Sequence, residues 1–294
     1  MRQVGWIGLG AMGLPMVQAL LDAGWSVSVY DVNPRAVEAA AASGARPAAD
    51  PADAARDAEA LGIMVQDFDQ TEEVLFRRGA AAALPDGAVL ALFNTIGPDN
   101  ARRVAERVGG RLAVLDAPVS GGVKRARGHL SIMVGAPETT VAKARELLDL
   151  LADEVEIIGP QVGDGQAMKT VNQLLAGVHI AAAAEALAFA ARAGVDPRRA
   201  FEVISHSAGY SWMFGDRGPR MLDRDFEPPR SMLQIFVKDL GIVLDTARAA
   251  GIPLFLAPQA YQLFAAGKAQ GLGRLDDSAM IAVYERLMTP GSDR

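Results

Sequence analysis

A glycine-rich segment near the beginning of the chain has the spacing of a dinucleotide-binding turn. It fits G-x-G-x-x-G between a predicted strand and a predicted helix with the residues Gly8, Leu9, Gly10, Ala11, Met12 and Gly13. Glycine there permits a tight turn and lets a pyrophosphate approach the backbone, while the N-terminus of the helix favours its negative charge. Because strand, glycines and helix occur in this order, the segment predicts a site for NAD.

Asp31 ends the second predicted strand. A carboxylate at this point can accept hydrogen bonds from the adenosine ribose and repel a 2′-phosphate, which favours NAD over NADP. Arg35 follows four residues later and keeps NADP open as a cofactor. Capping of the next helix by Asp31 or Asn33 is a simpler alternative.

A polar face near the beginning of a long apolar helix is the candidate catalytic site. Lys169, Asn172 and Gln173 lie at positions i, i+3 and i+4 and therefore share one side of that helix. A lone lysine in an early turn is usually solvated. Here its amide neighbours lie close to a predicted domain junction, where clefts for ligands tend to occur. Proton transfer by Lys169 and a solvated Lys169 are therefore the two alternatives.

Two shorter polar segments are less specific. Ser120, Gly121 and Gly122 follow a predicted strand, where a hydroxyl and backbone N–H groups can bind a carboxylate. Taken alone, such a segment is more typical of a simple turn. Lys238 and Asp239 are adjacent, and an ion pair at the surface would explain them equally well.

Composition narrows the function classes. The 294 residues carry a net charge of −6, without a basic stripe that would indicate nucleic acid. There is no cysteine, and the three histidines are far apart, so we expect no metal site. The apolar stretch at 174–191 contains His179 and Glu185, so we expect a buried helix rather than a membrane span, and a cytoplasmic protein.

The pattern of elements predicts an α/β Rossmann domain, doubly wound with a mainly parallel sheet, followed by an all-α domain. Predicted strands cover residues 3–9, 26–30, 61–65, 88–93, 112–115, 131–134 and 154–158. Predicted helices cover 12–23, 34–42, 71–76, 99–108, 138–151, 198–206, 229–250, 258–268 and 277–286. A long interdomain helix at about 165–193 joins the domains, which we assign to residues 1–161 and 162–294.

In this order, the motifs resemble the β-hydroxyacid dehydrogenase family. It includes 3-hydroxyisobutyrate dehydrogenase, tartronate semialdehyde reductase and relatives of 6-phosphogluconate dehydrogenase. The resemblance covers essentially the whole chain through four signatures, at residues 8–13, 116–122, 163–172 and 238–240. The family's fold, a Rossmann domain with a helical domain that builds homodimers or homotetramers, agrees with the predicted elements.

The resemblance implies a role for each candidate residue in the oxidation of a small hydroxy acid. Lys169 would be the general acid/base. The residues implied in substrate binding are Ser120, Gly121, Gly122, Asn172 and Gln173. Those implied near the cofactor, besides the glycine turn and Asp31, are Val65, Gln66, Thr95 and Lys238. Hydride transfer from a C–OH carbon releases a hydroxyl proton, and Lys169 would take it up.

Within the family, the C-terminal half is similar to the L-threonate dehydrogenases at residues 173–180, 211–214 and 235–241. We therefore predict oxidation of an aldonate to its 2-oxo acid, with 3-hydroxyisobutyrate oxidation or tartronate semialdehyde reduction as alternatives. An imine reductase, which usually lacks this lysine, and a non-catalytic NAD-binding protein are further rivals. Gln173 in place of a second asparagine, and Val65-Gln66 in place of Leu-Pro, depart from the family's pattern.

Overall fold

The computed structural model describes residues 2–288, and the chain divides into two compact units between Lys169 and Thr170. The first unit is an α/β Rossmann fold and the second is helical, which confirms the predicted fold class. The division falls inside one continuous helix, Asp164–Arg192. The domain boundary between residues 161 and 162 stays a prediction.

A nine-stranded sheet forms the centre of the first unit. Its strands are β1 (Gln3–Ile7), β2 (Ser26–Tyr30), β3 (Arg46–Pro47), β4 (Ala60–Ile63), β5 (Val89–Leu92), β6 (Ala113–Asp116), β7 (Val119–Ser120), β8 (Leu130–Gly135) and β9 (Ala152–Gly159). The order β3-β2-β1-β4-β5-β6 is parallel throughout. Strand β8 then runs antiparallel to β6 and β7 and parallel to β9. The parallel strands therefore share one carboxyl edge, where this fold binds its ligands.

Helices cover both faces of the sheet, which explains why its central strands are apolar without alternation. All residues of β4 and β5 are buried. Along β1, Trp6 packs into one core and Ile7 into the other, because successive side chains of a strand point to opposite faces.

The helices of the first unit follow its strands. They are α1 (Gly13–Asp22), α2 (Pro34–Ala42), α3 (Pro51–Ala55), α4 (Phe68–Glu72), α5 (Ala80–Ala83), α6 (Pro98–Val108) and α7 (Glu138–Leu151). A π-helical turn, Glu73–Arg77, extends α4. Side chains cap three of these helices: Asn33 for α2, Asp50 for α3 and Asp67 for α4.

The second unit contains the remaining helices. They are most of α8 (Asp164–Arg192), then α9 (Pro197–Ile204), α10 (Trp212–Asp223), α11 (Leu233–Ala249), α12 (Leu256–Gly267) and α13 (Met280–Met288). A π-helical turn, Lys268–Leu272, follows α12, and a 3-10 turn, Asp277–Ala279, precedes α13. Leu187, Phe214, Phe236 and Phe264 lie in one buried core, in which the Phe236 and Phe264 rings stack with centroids 5.1 Å apart.

Several elements differ from the predicted pattern. Helix α10 is not among the predicted helices, because Gly215, Gly218 and Pro219 interrupt its helical propensity. The predicted helix at 229–250 begins only at Leu233, because the preceding residue, Met232, is extended and pairs with Asp276 in a β-bridge. The short elements β3, α3, α5 and β7 carry too few residues to produce a periodic signal.

Helix α8 is long and apolar enough to cross a membrane by length and composition alone. It has 29 residues, and its most apolar window has a mean hydropathy of 1.8. Half of that window is buried inside the protein, however, as in the core helix of a soluble protein.

Candidate active site

The turn between β1 and α1 has one open glycine between two crowded ones. Gly8 has a φ of +100°, and a Cβ there would lie 2.5 Å from the Met64 carbonyl oxygen. A Cβ on Gly13 would lie 2.0 Å from the Gly8 carbonyl oxygen. In contrast, no atom lies within 4 Å of the Cβ position of Gly10, which is exposed. The backbone at Gly10 therefore has the open surface that a pyrophosphate at a helix N-terminus needs.

Asp31 links the end of β2 to this turn by a hydrogen bond. Its Oδ2 accepts a hydrogen bond from the Leu9 N–H at 2.6 Å, and its Oδ1 accepts one from the Asn33 N–H at 2.7 Å. Asn33, not Asp31, is the N-cap of α2, which removes the simple capping alternative for Asp31. Each carboxylate oxygen has a further lone pair with which to accept a ribose hydroxyl.

The loop after β4 carries Val65 and Gln66, which depart from the family's Leu-Pro pattern. Val65 is half-buried and Gln66 is exposed. The Gln66 N–H, which a proline would lack, donates a hydrogen bond to Gln70 Oε1 at 3.0 Å. The departure therefore adds a contact that holds this loop to the beginning of α4.

Ser120 is the last residue of β7, and Gly121 and Gly122 form a tight turn directly after it. Ser120 pairs with Ser131 of β8, and the two glycines have φ values of +125° and +66°, which other residues rarely adopt. The Arg125 side chain lies over Gly121, where a Cβ would meet it at 3.0 Å. The turn thus presents a half-buried serine and glycine backbone beside the aliphatic part of Arg125, whose guanidinium group lies 3.7 Å from Asp153.

Asp116, at the end of β6, holds the beginning of α8. It is fully buried, and its Oδ2 accepts hydrogen bonds from the N–H groups of Gly163 at 2.9 Å and Gln166 at 3.0 Å. Burial raises the pKa of the Asp116 carboxyl to about 6, although these hydrogen bonds oppose the rise. Gly165 permits the close packing, since a Cβ there would lie 2.4 Å from the Met133 carbonyl oxygen of β8.

Gln166 is a site residue that the sequence interpretation missed. It is fully buried, and its amide binds the loop after β5 through three hydrogen bonds. Its Oε1 accepts from the N–H groups of Ile96 and Gly97, both at 3.0 Å, and its Nε2 donates to the Asn94 carbonyl oxygen at 2.9 Å. The only signal in the sequence was its place between Gly165 and Lys169 in the third signature.

Lys169 is the last residue of the first unit and is only 7% exposed. This burial is inconsistent with the solvated lysine that the sequence left as an alternative. Lys169 follows Gln166 by three residues on α8, so the two side chains are neighbours on the surface of the helix. The first unit therefore brings together Asp116, Gln166, the loop that contains Thr95 and the beginning of the helix that carries Lys169.

The other predicted residues form a hydrogen-bonded chain in the second unit. Asn172 Nδ2 donates to Gln173 Oε1 at 2.9 Å, and Gln173 Nε2 donates to Asp239 Oδ2. Asp239 Oδ1 lies 2.7 Å from Lys238 Nζ. Asp239 is 3% exposed and Gln173 is 8% exposed, so Lys238 and Asp239 are not a surface ion pair.

The parallel sheet, the open turn at Gly10 and the carboxylate of Asp31 define the class of protein, a Rossmann-fold protein with a site for a dinucleotide. Two family models agree with this class. Residues 3–159 match the NAD-binding domain of 6-phosphogluconate dehydrogenase. Residues 163–284 match the NAD-binding model of NADP-dependent 3-hydroxyisobutyrate dehydrogenase.

Individual relatives match over nearly the whole chain. An L-threonate dehydrogenase of Cupriavidus necator is 43% identical over 293 residues, which cover 99% of this chain and 98% of the relative. One of Pectobacterium atrosepticum is 39% identical and covers 97% of this chain and 94% of its own. A crystal structure described as 3-hydroxyisobutyrate dehydrogenase from Salmonella typhimurium has a TM-score of 0.90 at 41% identity, covering 96% of this chain and all of that one.

The chain belongs to the 3-hydroxyisobutyrate dehydrogenase-like family of β-hydroxyacid dehydrogenases. It is a hydroxy acid dehydrogenase that acts on a CH–OH group and uses NAD or NADP. The predicted family, enzyme class and cofactor are thereby confirmed. The roles of the individual site residues stay predictions.

Proposed function

We propose that this enzyme oxidises the C2 hydroxyl of L-threonate, or of a closely related aldonate, to the 2-oxo acid with NAD. The observation that carries the choice of substrate is the group of relatives named L-threonate dehydrogenase. Five of them, from different bacterial strains, are 38–43% identical and each covers at least 97% of this chain.

In the proposed reaction, the C2–H bond breaks with its electron pair and the C2–O–H group loses a proton as the C=O bond forms. Bound NAD supplies the acceptor for the hydride. Lys169 takes the hydroxyl proton, and its removal from bulk solvent, with only 7% of the residue exposed, supports that role. The turn of Ser120, Gly121 and Gly122 binds the substrate carboxylate, and Asn172, held by Gln173, orients the substrate or Lys169.

The preference for NAD over NADP is part of the proposal. Asp31 directs its carboxylate to the turn that would hold the pyrophosphate, so its negative charge disfavours a 2′-phosphate on the neighbouring ribose. Thr95, Val65, Gln66 and Lys238 are proposed contacts of the cofactor. A cytoplasmic location and a homodimeric or homotetrameric assembly complete the proposal, and light scattering on the purified protein tests the assembly.

A spectrophotometric screen tests the substrate and the role of Lys169 together. L-threonate, other aldonates, 3-hydroxyisobutyrate and glycerate are each offered with NAD and with NADP. We expect the highest kcat/KM with L-threonate and NAD, and a loss of at least roughly 100-fold in turnover for Lys169→Ala with NADH binding retained. Lys268→Ala removes an exposed lysine of the second unit and is the matched control.

Two outcomes would contradict the proposal. Unchanged turnover in Lys169→Ala would remove the lysine from the mechanism. Activity confined to 3-hydroxyisobutyrate would replace the substrate, and this second candidate has specific support in the Salmonella typhimurium structure described by that name, with its TM-score of 0.90.

A further inference from the structure

One buried amide holds the backbone on both sides of Thr95. Gln166 Nε2 donates to the carbonyl oxygen of Asn94, the residue before Thr95. Gln166 Oε1 accepts from the N–H groups of Ile96 and Gly97, the two residues after it. All three bonds are 2.9–3.0 Å long and buried, so the loop has little freedom to shift against this side chain.

The far side of the same loop is also fixed within the first unit. Asn94 Nδ2 donates to Thr71 Oγ1 at 2.9 Å, and Thr71 Oγ1 donates to the Asp67 carbonyl oxygen at 2.8 Å. The Thr95 loop therefore lies between α4 on one side and the beginning of α8 on the other. Of the two, only α8 carries the candidate proton carrier.

The beginning of α8 is itself held in place. Asp116 accepts the N–H group of Gln166, so the residue that binds the loop is anchored through its backbone to β6. Lys169 comes three residues later, less than one helical turn away. A short, rigid path of covalent and hydrogen bonds thus connects β6, Gln166, the Thr95 loop and Lys169.

The chemistry of this position demands an amide. The loop presents one acceptor and two donors to the side chain, and a neutral carboxamide offers the complementary set on a planar group. A methionine has nearly the same length and no such groups. A glutamate keeps the acceptor oxygens and loses the donor to Asn94 while adding a charge.

We propose that Gln166 is a positioning residue for hydride transfer, which sets the place of the Thr95 loop relative to Lys169. It touches neither the substrate nor the reacting atoms. The proposal rests on the hydroxy acid oxidation and the role of Lys169 proposed above. A displacement of about 1 Å between reacting groups can slow a reaction roughly 100-fold, so loss of this side chain should act on kcat more than on KM.

The test compares three variants of the full chain. Gln166→Met removes all three hydrogen bonds, and Gln166→Glu keeps the acceptors for Ile96 and Gly97. Leu147→Ala makes a cavity beside α7, in the same unit, and lowers stability while keeping the three hydrogen-bonding groups of Gln166. Each is measured for kcat and KM with L-threonate, melting temperature, NADH affinity and amide hydrogen exchange at Ile96 and Gly97.

For Gln166→Met we expect kcat to fall roughly 10- to 100-fold with a change of less than about threefold in KM. Exchange at Ile96 and Gly97 should rise at least about tenfold in the cofactor-free protein. The kcat of Gln166→Glu should fall less than that of Gln166→Met. Leu147→Ala should keep the kcat of the wild type, even though its melting temperature falls as much as that of Gln166→Met. If Gln166→Met does not fold, Gln166→Glu carries the test, with a kcat loss as the expected result.

The proposal is overturned if both Gln166 variants keep kcat within about twofold of the wild type. It is also overturned if kcat falls as much in Leu147→Ala as in Gln166→Met. Failure of the proposed function looks different. In that case the wild type oxidises none of the hydroxy acids in the screen. Amide exchange at Ile96 and Gly97 and the affinity for NADH would then still show whether Gln166 positions the Thr95 loop.

Discussion

A buried polar network in the first unit and one around α10 in the second unit hold their carboxylates in different ways. In the first unit, Asp116 is held by backbone N–H groups. Its Oδ1 and the Oδ1 of Asn94 have no hydrogen-bond partner among residues 2–288. In the second unit, Arg217 makes a two-point ion pair with Asp277 at 2.9 and 3.0 Å, and Arg220 pairs with Asp276 at 2.7 Å.

The two networks differ in what faces the carboxylates, which is backbone N–H groups at Asp116 and guanidinium groups at Asp276 and Asp277. Burial raises the pKa of Asp116 to about 6, although the hydrogen bonds from backbone N–H groups oppose the rise. Burial also raises the pKa of Asp277, although the charge of Arg217 opposes that rise. Burial also acts to raise the pKa of Asp276, but hydrogen bonds from Ser278 and Arg230 and the charge of Arg220 outweigh it, and the net pKa is lowered. A guanidinium partner therefore does not by itself decide the direction of the pKa shift, which depends on how many hydrogen bonds and charges oppose the burial of each carboxyl.

Removing one partner of the paired network should give the largest effect on stability. Arg217→Met leaves Asp277, which is fully buried, without its guanidinium group, and we expect a loss of about 3–5 kcal/mol in the free energy of unfolding. Urea unfolding followed by circular dichroism measures it. Arg198→Ala breaks an exposed pair with Asp223 and should cost less than about 1 kcal/mol. Equal losses of unfolding free energy in Arg217→Met and Arg198→Ala would show that the buried ion pair matters no more for stability than the exposed one.

Asp116→Asn should change how stability depends on pH. Because the folded pKa of Asp116 lies above its usual 3.8, the protonated form stabilises the fold, and this contribution is lost as pH rises from about 4 to 6. Relative to the wild type, the asparagine variant should therefore gain up to about 3 kcal/mol over that range and then level off. Chemical unfolding at a series of pH values measures the difference, and parallel curves would contradict the raised pKa.

Asp276→Asn should change the pH dependence of stability in the opposite direction from Asp116→Asn. The folded pKa of Asp276 lies below its usual 3.8, so the carboxylate stabilises the fold above that value and the contribution is lost as pH falls through the lowered pKa. The variant should therefore be most destabilised, relative to the wild type, near neutral pH. Unfolding curves at pH 3 and pH 7 check this, and an equal deficit at both values would contradict it.

The smallest effect on stability should come from Gly10→Ala. No atom lies within 4 Å of the new Cβ, and the φ of Gly10 is not positive, so the free energy of unfolding should change by less than about 1 kcal/mol. A methyl group there would nevertheless block the approach of a pyrophosphate, and NADH affinity should fall at least about tenfold. Calorimetric titration with NADH measures it, and unchanged affinity would place the cofactor elsewhere.

The parts of the molecule that local pattern determines could be predicted from sequence. The glycine turn, Asp31 and the apolar strands follow from short-range spacing, and the structure places them as expected. Gln166 could not be predicted, because its three partners lie about seventy residues away along the chain. A single polar residue in a predicted helix does not indicate whether its side chain faces water or a buried loop.

The same limit explains the helix that the sequence did not predict. Local propensity argues against α10, whose interior contains Gly215, Gly218 and Pro219. The contacts that hold it are tertiary, namely the burial of Phe214 and Met221 in the core and the ion pairs to Asp276 and Asp277. The long helix α8 needed no such help, since alanine and leucine favour a helix by themselves.

The Arg217–Asp277 pair also has a consequence for the order of events during synthesis. The two residues are separated by 60 positions, so the arginine leaves the ribosome well before its acid. The intrinsic propensity of α10 is poor, and its ion pairs form only after residues 276 and 277 have emerged. We therefore expect α10 to be among the last helices to become protected as the chain grows, which hydrogen-exchange labelling of chains stalled before and after residue 277 would measure.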